Sequence, residues 1–268
     1  MDYCIHIDKN YDPNWHHEVI ATALEAVEQG KIDRLLITLP PRHGKTEEAS
    51  IKFPSWYLGK HPEEAVITAS YSGDLAVGFG RKVRNLVDSQ VYVDAFPGIT
   101  LAEDSKSAGI WHTNKGGEYT AVGIGGATTG KGANIFLIDD PFKNREEADS
   151  EVMREKVHDW YKSVVYTRLE TNLLTGRTGA VVLIQTRWNE DDLAGRLLKE
   201  GKDNWYHLNL PAVAEEDEKY RKKGEALWPK KFNIQALERI KNNIGLYDWS
   251  ALYQQQPVNK EAQEFKSE

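Results

Sequence analysis

Short apolar, β-branched runs alternate along this chain with longer stretches whose apolar residues recur at helical spacing. Five runs read as strands: Arg34–Leu39 (RLLITL), Ala65–Ser70 (AVITAS), Tyr119–Ile124 (YTAVGI), Ile135–Asp139 (IFLID) and Ala180–Thr186 (AVVLIQT). Residues His16–Gln29, Lys45–Leu58, Ser72–Ser89, Ser150–Thr167 and Asp191–Glu200 read as helices. Gly30 suits a helix C-terminus and Asp149-Ser150 a helix start. The last two strands are apolar at nearly every position, which suits a sheet covered on both faces. Such alternation predicts an α/β fold with a mainly parallel central sheet flanked by helices. After about residue 210 the pattern changes. Ala214–Gly224 is a charged turn region, Phe232–Tyr253 reads as a helical pair, and Gln254-Gln255-Gln256-Pro257 closes it. Three parts are therefore expected: a core over residues 1–210, a small helical lid or linker subdomain over 211–257, and a polar linker stub over 258–268.

A length of 268 residues fits one large domain with an appendage. With 34 Lys+Arg against 41 Asp+Glu, the net charge is −7, which argues against a sheath-like cover for nucleic acid. No apolar run approaches the roughly 18 residues needed to span a bilayer, so no membrane partner is expected. Cys4 is the sole cysteine, which excludes an intrachain disulfide and a cysteine-rich zinc site and points to a reducing, cytosolic setting.

Candidate chemistry begins at Leu39-Pro40-Pro41-Arg42-His43-Gly44-Lys45-Thr46, between a strand and a helix. That is the context of the G-x-x-x-x-G-K-[ST] phosphate loop, although Leu39 stands where the pattern has Gly. Residues Pro41, Arg42, His43, Gly44, Lys45, Thr46 and Glu47 are the candidate nucleotide-binding set. Backbone N–H groups at the helix start bind phosphate oxygens, and Gly44 permits close approach. Lys45 would reach the β- and γ-phosphates of ATP, and the Thr46 hydroxyl would ligate Mg²⁺. Arg42 is either a second cation beside the triphosphate or a surface arginine on a tight turn.

An ATP-hydrolysing site also needs a carboxylate for Mg²⁺ and a second to polarise water. Ile135-Phe136-Leu137-Ile138-Asp139-Asp140 supplies both at a strand's C-terminal edge, where ligands bind in open α/β sheets. Asp139 is assigned to Mg²⁺ and Asp140 to the water. Thr186, at the tip of the run AVVLIQT, is placed to sense the γ-phosphate, with Arg187 as a second candidate.

Taken in order, the motifs are distinctive. They are His16-His17 before a helix, PPRHGKTE (Pro40–Glu47), ASYS (Ala69–Ser72), and GG-x-Y with GIGG-x-x-TGKG (Gly116–Gly132). IDDPFKN (Ile138–Asn144), DWY (Asp159–Tyr161), TRL (Thr167–Leu169), QTRWNEDDLAGRL (Gln185–Leu197), ALWP (Ala226–Pro229) and ALYQQQP (Ala251–Pro257) follow. Over nearly its whole length the chain resembles the large subunit of double-stranded DNA bacteriophage terminases, the ATPase that drives DNA into a procapsid. The resemblance implies an additional-strand, RecA-like P-loop core with a lid, using ATP and Mg²⁺. It implies that Arg42 is the loop arginine and Thr186 the coupling residue, and that Trp15, His16 and His17 contact adenine. A finger acting on a neighbouring subunit would fall at Lys131, where a Lys replaces the expected Arg. The implied partners are double-stranded DNA, the portal protein, the small terminase subunit, further copies in a ring on the procapsid, and a C-terminal nuclease domain. The chain stops about where the ATPase module ends, so no nuclease activity is expected. The implied location is the host cytoplasm, transiently at the portal vertex and not in the mature virion.

Three other readings use the same loop, one of them a non-hydrolysing nucleotide-gated assembly module. A helicase-type ATPase would need a second RecA-like domain, for which residues 210–268 are too few. A P-loop kinase has no need of a water-polarising acid, and Asp140 speaks against it. Most tryptophans read as packing residues, and His16 and His17, about 100° apart on a helix, do not suit a shared metal.

Overall fold

The computed structural model describes residues 1–105, 107–126 and 130–258. Seven strands form one sheet: β1 (Arg34–Thr38), β2 (Ala65–Ser70), β3 (Ile110–His112), β4 (Glu118–Gly123), β5 (Ile135–Asp139), β6 (Ala180–Gln185) and β7 (Tyr206–Asn209). Their order is β3-β4-β2-β5-β6-β1-β7. Every neighbouring pair is parallel except β3–β4. β6 therefore stands between the strand that leads into the phosphate loop and the strand that ends in Asp139. With strands about 4.8 Å apart, loop and acid are held about 10 Å apart across the sheet.

The helices are α1 (Asp2–Ile7), α2 (Trp15–Glu28), α3 (Phe53–Lys60), α4 (Gly73–Val87), α5 (Gln90–Ala95), α6 (Arg145–Asp149), α7 (Glu151–Trp160), α8 (Leu193–Glu200) and α9 (Ile234–Asp248). Strand side chains alternate between faces, and two cores follow from that period. On one face Leu35, Ile37, Leu137, Val182 and Ile184 pack with Ile20 and Leu24 of α2, Tyr57 of α3 and Val83 of α4. On the other, Leu36, Phe136, Ile138, Val181 and Leu183 meet Val157 and Trp160 of α7 and Leu193 and Leu197 of α8. No helix among the described residues is long and apolar enough to cross a membrane.

All five expected strands form, and β3 and β7 are additions. Both lie at sheet edges, where half the surface is open, so neither carries the apolar run of a central strand. The expected helix Lys45–Leu58 is divided. Glu47–Lys52 is a π-helical turn and α3 follows it. Pro54 has no N–H for the carbonyl one turn back and its ring crowds that position, so the backbone widens ahead of it. The expected helix Ser150–Thr167 likewise ends as α7 at Trp160, then continues as a π turn over Tyr161–Val165 and a 3₁₀ turn over Tyr166–Arg168.

Beyond residue 210 the helical pair is α9 and a π turn over Trp249–Tyr253, with a break at Gly245 (φ 79°, ψ 169°). Ala212, Ala226, Leu237 and Trp249 form a small separate core. Leu210 and Leu227 belong instead to the main core and anchor this segment to it. Residues 259–268 of the expected stub lie outside the described residues.

Burial sets the mutational sensitivity. Leu183 is fully buried and Leu174 is 97% exposed on the loop before β6. Leu183→Ala should lower unfolding free energy by about 2–5 kcal/mol, and Leu174→Ala by less than about 0.5 kcal/mol, as read from urea titrations.

Candidate nucleotide-binding site

The loop after β1 folds back on itself through two left-handed residues, Arg42 (φ 62°) and Gly44 (φ 91°). Gly44 is required twice over, because a Cβ there would also lie 2.5 Å from His17 Nε2. The ring of His17 sits directly beneath the loop, accepting the Asn14 backbone N–H at Nδ1 (2.9 Å). His16 Nε2–H donates to the His43 carbonyl (3.0 Å), and its Nδ1 accepts from Asn14 Nδ2 (2.7 Å). His43 Nδ1–H donates to the Pro41 carbonyl (2.9 Å). The C-terminal segment closes the loop from the other side. Phe232 stacks on His43 with ring centroids 4.6 Å apart, and Lys231 Nζ donates to the Arg42 carbonyl (2.8 Å).

Lys45, buried at the start of the following helix, pairs with Asp140 Oδ2 at 2.8 Å. Burial disfavours its ammonium, but Asp140 and Asp139 outweigh that and hold its pKa above the usual lysine value. Asp140 adopts φ 46°, a left-handed conformation rare outside glycine, and its Oδ1 accepts the Thr186 N–H (3.0 Å). Thr186 Oγ1 donates in turn to the Leu39 carbonyl at the base of the loop (3.2 Å). One carboxylate thus joins the loop lysine to the tip of β6.

Asp139 is fully buried and accepts from Ser50 Oγ at Oδ2 (2.7 Å), while its Oδ1 is buried with no hydrogen-bond partner among the described residues. Burial and the neighbouring Asp140 push its pKa up, against the pull of Lys45, Ser50 and Thr46. A buried carboxylate with a vacant oxygen, flanked by two hydroxyls, fits a hard divalent cation.

The family model "Terminase large subunit, T4likevirus-type, N-terminal" matches residues 36–261. The chain belongs to this terminase family. Among solved structures it is similar to a mutant form of the large terminase ATPase domain of Thermus phage P74-26, with a TM-score of 0.53 and 14% identity over 96% of this chain and 99% of that one. It is also similar to the large terminase of bacteriophage HK97, with a TM-score of 0.51 and 12% identity over 95% of this chain and 54% of that one. The chain thus spans about half the length of the HK97 protein. At these identities the likeness is one of fold, the RecA-like P-loop fold. No curated protein sequence matches.

Within this terminase fold the expected site residues fall into three groups. Lys45, Thr46, Asp139, Asp140 and Thr186 converge at the C-terminal edge of β1, β5 and β6. Arg42 and Glu47 are exposed at the mouth, and Arg42 forms no ion pair among the described residues. The third group, Trp15, His16 and His17, lies beside and beneath the loop. Trp15 is stacked on Tyr220 (5.1 Å, 16°) under the Arg221 guanidinium. His16 and His17 are buried with rings 3.9 Å apart, supporting the loop from below. The two imidazoles act here as the loop's support. Lys131 lies near the opposite edge of the sheet, before β5, and is paired with Glu118 and Thr120 of its own chain. Of its glycine-rich neighbourhood, residues 127–129 lie outside the described residues. Sequence reasoning missed Ser50, although it stands four residues after Thr46 on the same helical face. It also missed the Lys231–Phe232 clamp, which no local signal ties to a loop nearly 190 residues earlier.

The three histidines give the terminase loop a pH signature. Burial, then neighbouring positive or imidazole groups, lower His16 to about 3, and His17 and His43 to about 4 each. They are neutral when folded, while the unfolded chain takes up protons below about 6.5. Their contribution to stability is therefore complete above pH 6.5 and lost as pH falls toward 4, by up to about 2 kcal/mol per ring at pH 5. His16→Gln should remove about one proton from the slope of unfolding free energy between pH 6 and 5. An unchanged slope in urea titrations would contradict this.

Proposed function

We propose that the chain is the ATP-hydrolysing motor domain of a phage terminase, powering translocation of double-stranded DNA into a procapsid. The observation that carries this reading is the Lys45–Asp140 pair at 2.8 Å, with the vacant oxygen of Asp139 beside it. A buried ammonium held by a carboxylate at a phosphate loop is a resting arrangement. ATP offers that ammonium better partners, namely oxygens of the β- and γ-phosphates.

When Lys45 turns to the phosphates, Asp140 Oδ2 is released as an acceptor. It can then orient a water on the γ-phosphorus and take up its proton, which general-base geometry requires. Thr46 and Asp139 would hold Mg²⁺, with Ser50 fixing Asp139 from behind. The ion supplies neutralisation of charge on the β- and γ-oxygens. Arg42, exposed at the mouth, adds a second cation beside the triphosphate. Its planar fork suits phosphate oxygens. Thr186 shares Asp140 and the loop base, so loss of the γ-phosphate reaches β6 directly.

The partners belong to the same proposal: double-stranded DNA, portal protein, small terminase subunit, copies in a ring, and a C-terminal nuclease domain, acting in the host cytoplasm. Within a ring, Lys131 reaches a neighbour's phosphates only by exchanging Glu118 for them.

Phosphate release with and without double-stranded DNA tests the reading. Lys45→Ala should lower turnover by about a hundredfold or more and weaken ATP binding. Asp140→Asn should bind ATP and hydrolyse it slowly, whereas Asp139→Asn should raise the Mg²⁺ concentration needed for half-maximal rate. Equal Mg²⁺ titrations for the two aspartate variants would overturn the division of roles, and near wild-type turnover of Lys45→Ala would overturn the ATPase itself.

A further inference from the structure

The backbone that follows β6 carries two adjacent amides with different employers. The Thr186 N–H donates to Asp140, and the next one, Arg187 N–H, donates to Gln255 Oε1 (3.1 Å) inside the protein. Gln255 is buried, adopts φ 58° and ties its own Nε2 back to the Leu252 carbonyl. Its neighbours hold different partners. Gln254 exchanges two bonds with the Val213 backbone, and Gln256 bonds Glu215. Of the three, the middle glutamine is the one bonded to the segment that follows β6.

Arg187 itself cannot drift. Its Nε lies 3.0 and 2.9 Å from the two oxygens of Asp192, which is fully buried and also accepts the Gly195 and Trp188 N–H groups at the start of α8. The Arg187 side chain is thus a fixed pivot. A change at the Thr186 amide must be taken up by rotation about the φ and ψ bonds of Thr186, and that rotation turns the 186–187 peptide and with it the Arg187 N–H. Asp140, whose other oxygen holds Lys45, stands on one side of that linkage, and Gln255 stands on the other. The chain then runs through Gln256 to Val258, the last described residue.

We propose that Gln255 is a positioning residue that reads the partner of Asp140 through the 186–187 peptide and passes it to the segment after α9. With Lys45 on Asp140 the two amides sit as described. When Lys45 leaves for phosphates, Asp140 changes its hold on Thr186 N–H, and Gln255 must follow or lose Arg187 N–H. A glutamine is suited to this: its acceptor oxygen faces the sheet, and its donor faces the π turn it belongs to. A left-handed backbone there makes its position depend on both bonds rather than on helical continuity. The proposal rests on the ATPase reading of the same site.

Hydrogen exchange of residues 249–258, measured with and without ADP or a non-hydrolysable ATP analogue, tests it. In the wild-type chain, nucleotide should change exchange in this segment by about fivefold, the factor expected when one hydrogen bond is gained or lost. Gln255→Asn is the decisive variant. Asn is at ease at positive φ, so the fold is kept, but its side chain is one methylene too short to reach Arg187. It should bind nucleotide within about twofold of wild type and show no nucleotide-dependent change in exchange, with kcat lowered more than KM. Gln256→Ala, which breaks only the Glu215 tie, should keep the response. A full response in Gln255→Asn, or its loss in Gln256→Ala, would overturn the assignment. A wild-type chain that binds nucleotide without any change in 249–258 would overturn it while leaving the ATPase reading intact. A wild-type chain that binds no nucleotide would remove that reading and this one with it.

Discussion

A positive charge buried at the end of a helix-forming loop must have an anion beside it, and much of this fold serves that need. Lys45 is out of water, and an unpaired ammonium there would destabilise the fold by about 3–5 kcal/mol. Asp140 answers it, at the expense of a left-handed backbone that an aspartate seldom adopts. Because the anion comes from β5 and the cation from the loop after β1, the pair closes over β6 and fixes the tip of that strand as well. The candidate nucleotide site is therefore held shut by its own chemistry. On the function proposed above, a ligand with phosphate oxygens replaces the anion rather than filling a void.

The loop is also stiffened from both ends of the chain. Three neutral imidazoles lie beneath and within it, each with one nitrogen donating to a loop carbonyl or aimed at the loop backbone. Such rings supply directional contacts without adding charge beside Lys45. Phe232 and Lys231 close the loop from the far end of the sequence, so the small helical segment beyond residue 210 touches the phosphate loop as well as its own core. Gly245 breaks α9 between the end that follows this clamp and the end that leads to Gln255.

The sequence was readable where one physical demand dominated. Strands buried on both faces are apolar nearly throughout, so β5 and β6 stood out, while β1, β2 and β4 showed as short β-branched runs, and a strand ending in Asp139-Asp140 has no packing reason to do so. β3 and β7 escaped because edge strands answer to water on one side. Pairings between distant segments left no local trace: Gln255 with Arg187, Phe232 with His43, and Trp15 with Tyr220. The two histidines before β1 were legible as part of the site but not as its floor. Their helical spacing gives the direction of each ring and says nothing of the loop that folds over them.

The placement of β6 between β1 and β5 has a wider consequence. The gap between phosphate loop and acidic pair is set by the width of one hydrogen-bonded strand, and that width is a property of the peptide backbone, the same for any sequence. Evolution is then free to exchange nearly every side chain in the sheet, because the gauge that spaces the reactive groups is not written in side chains at all. A fold whose critical dimension is stored this way keeps that dimension however far its sequence drifts, and solved structures of similar fold share only 12–14% identity with this chain.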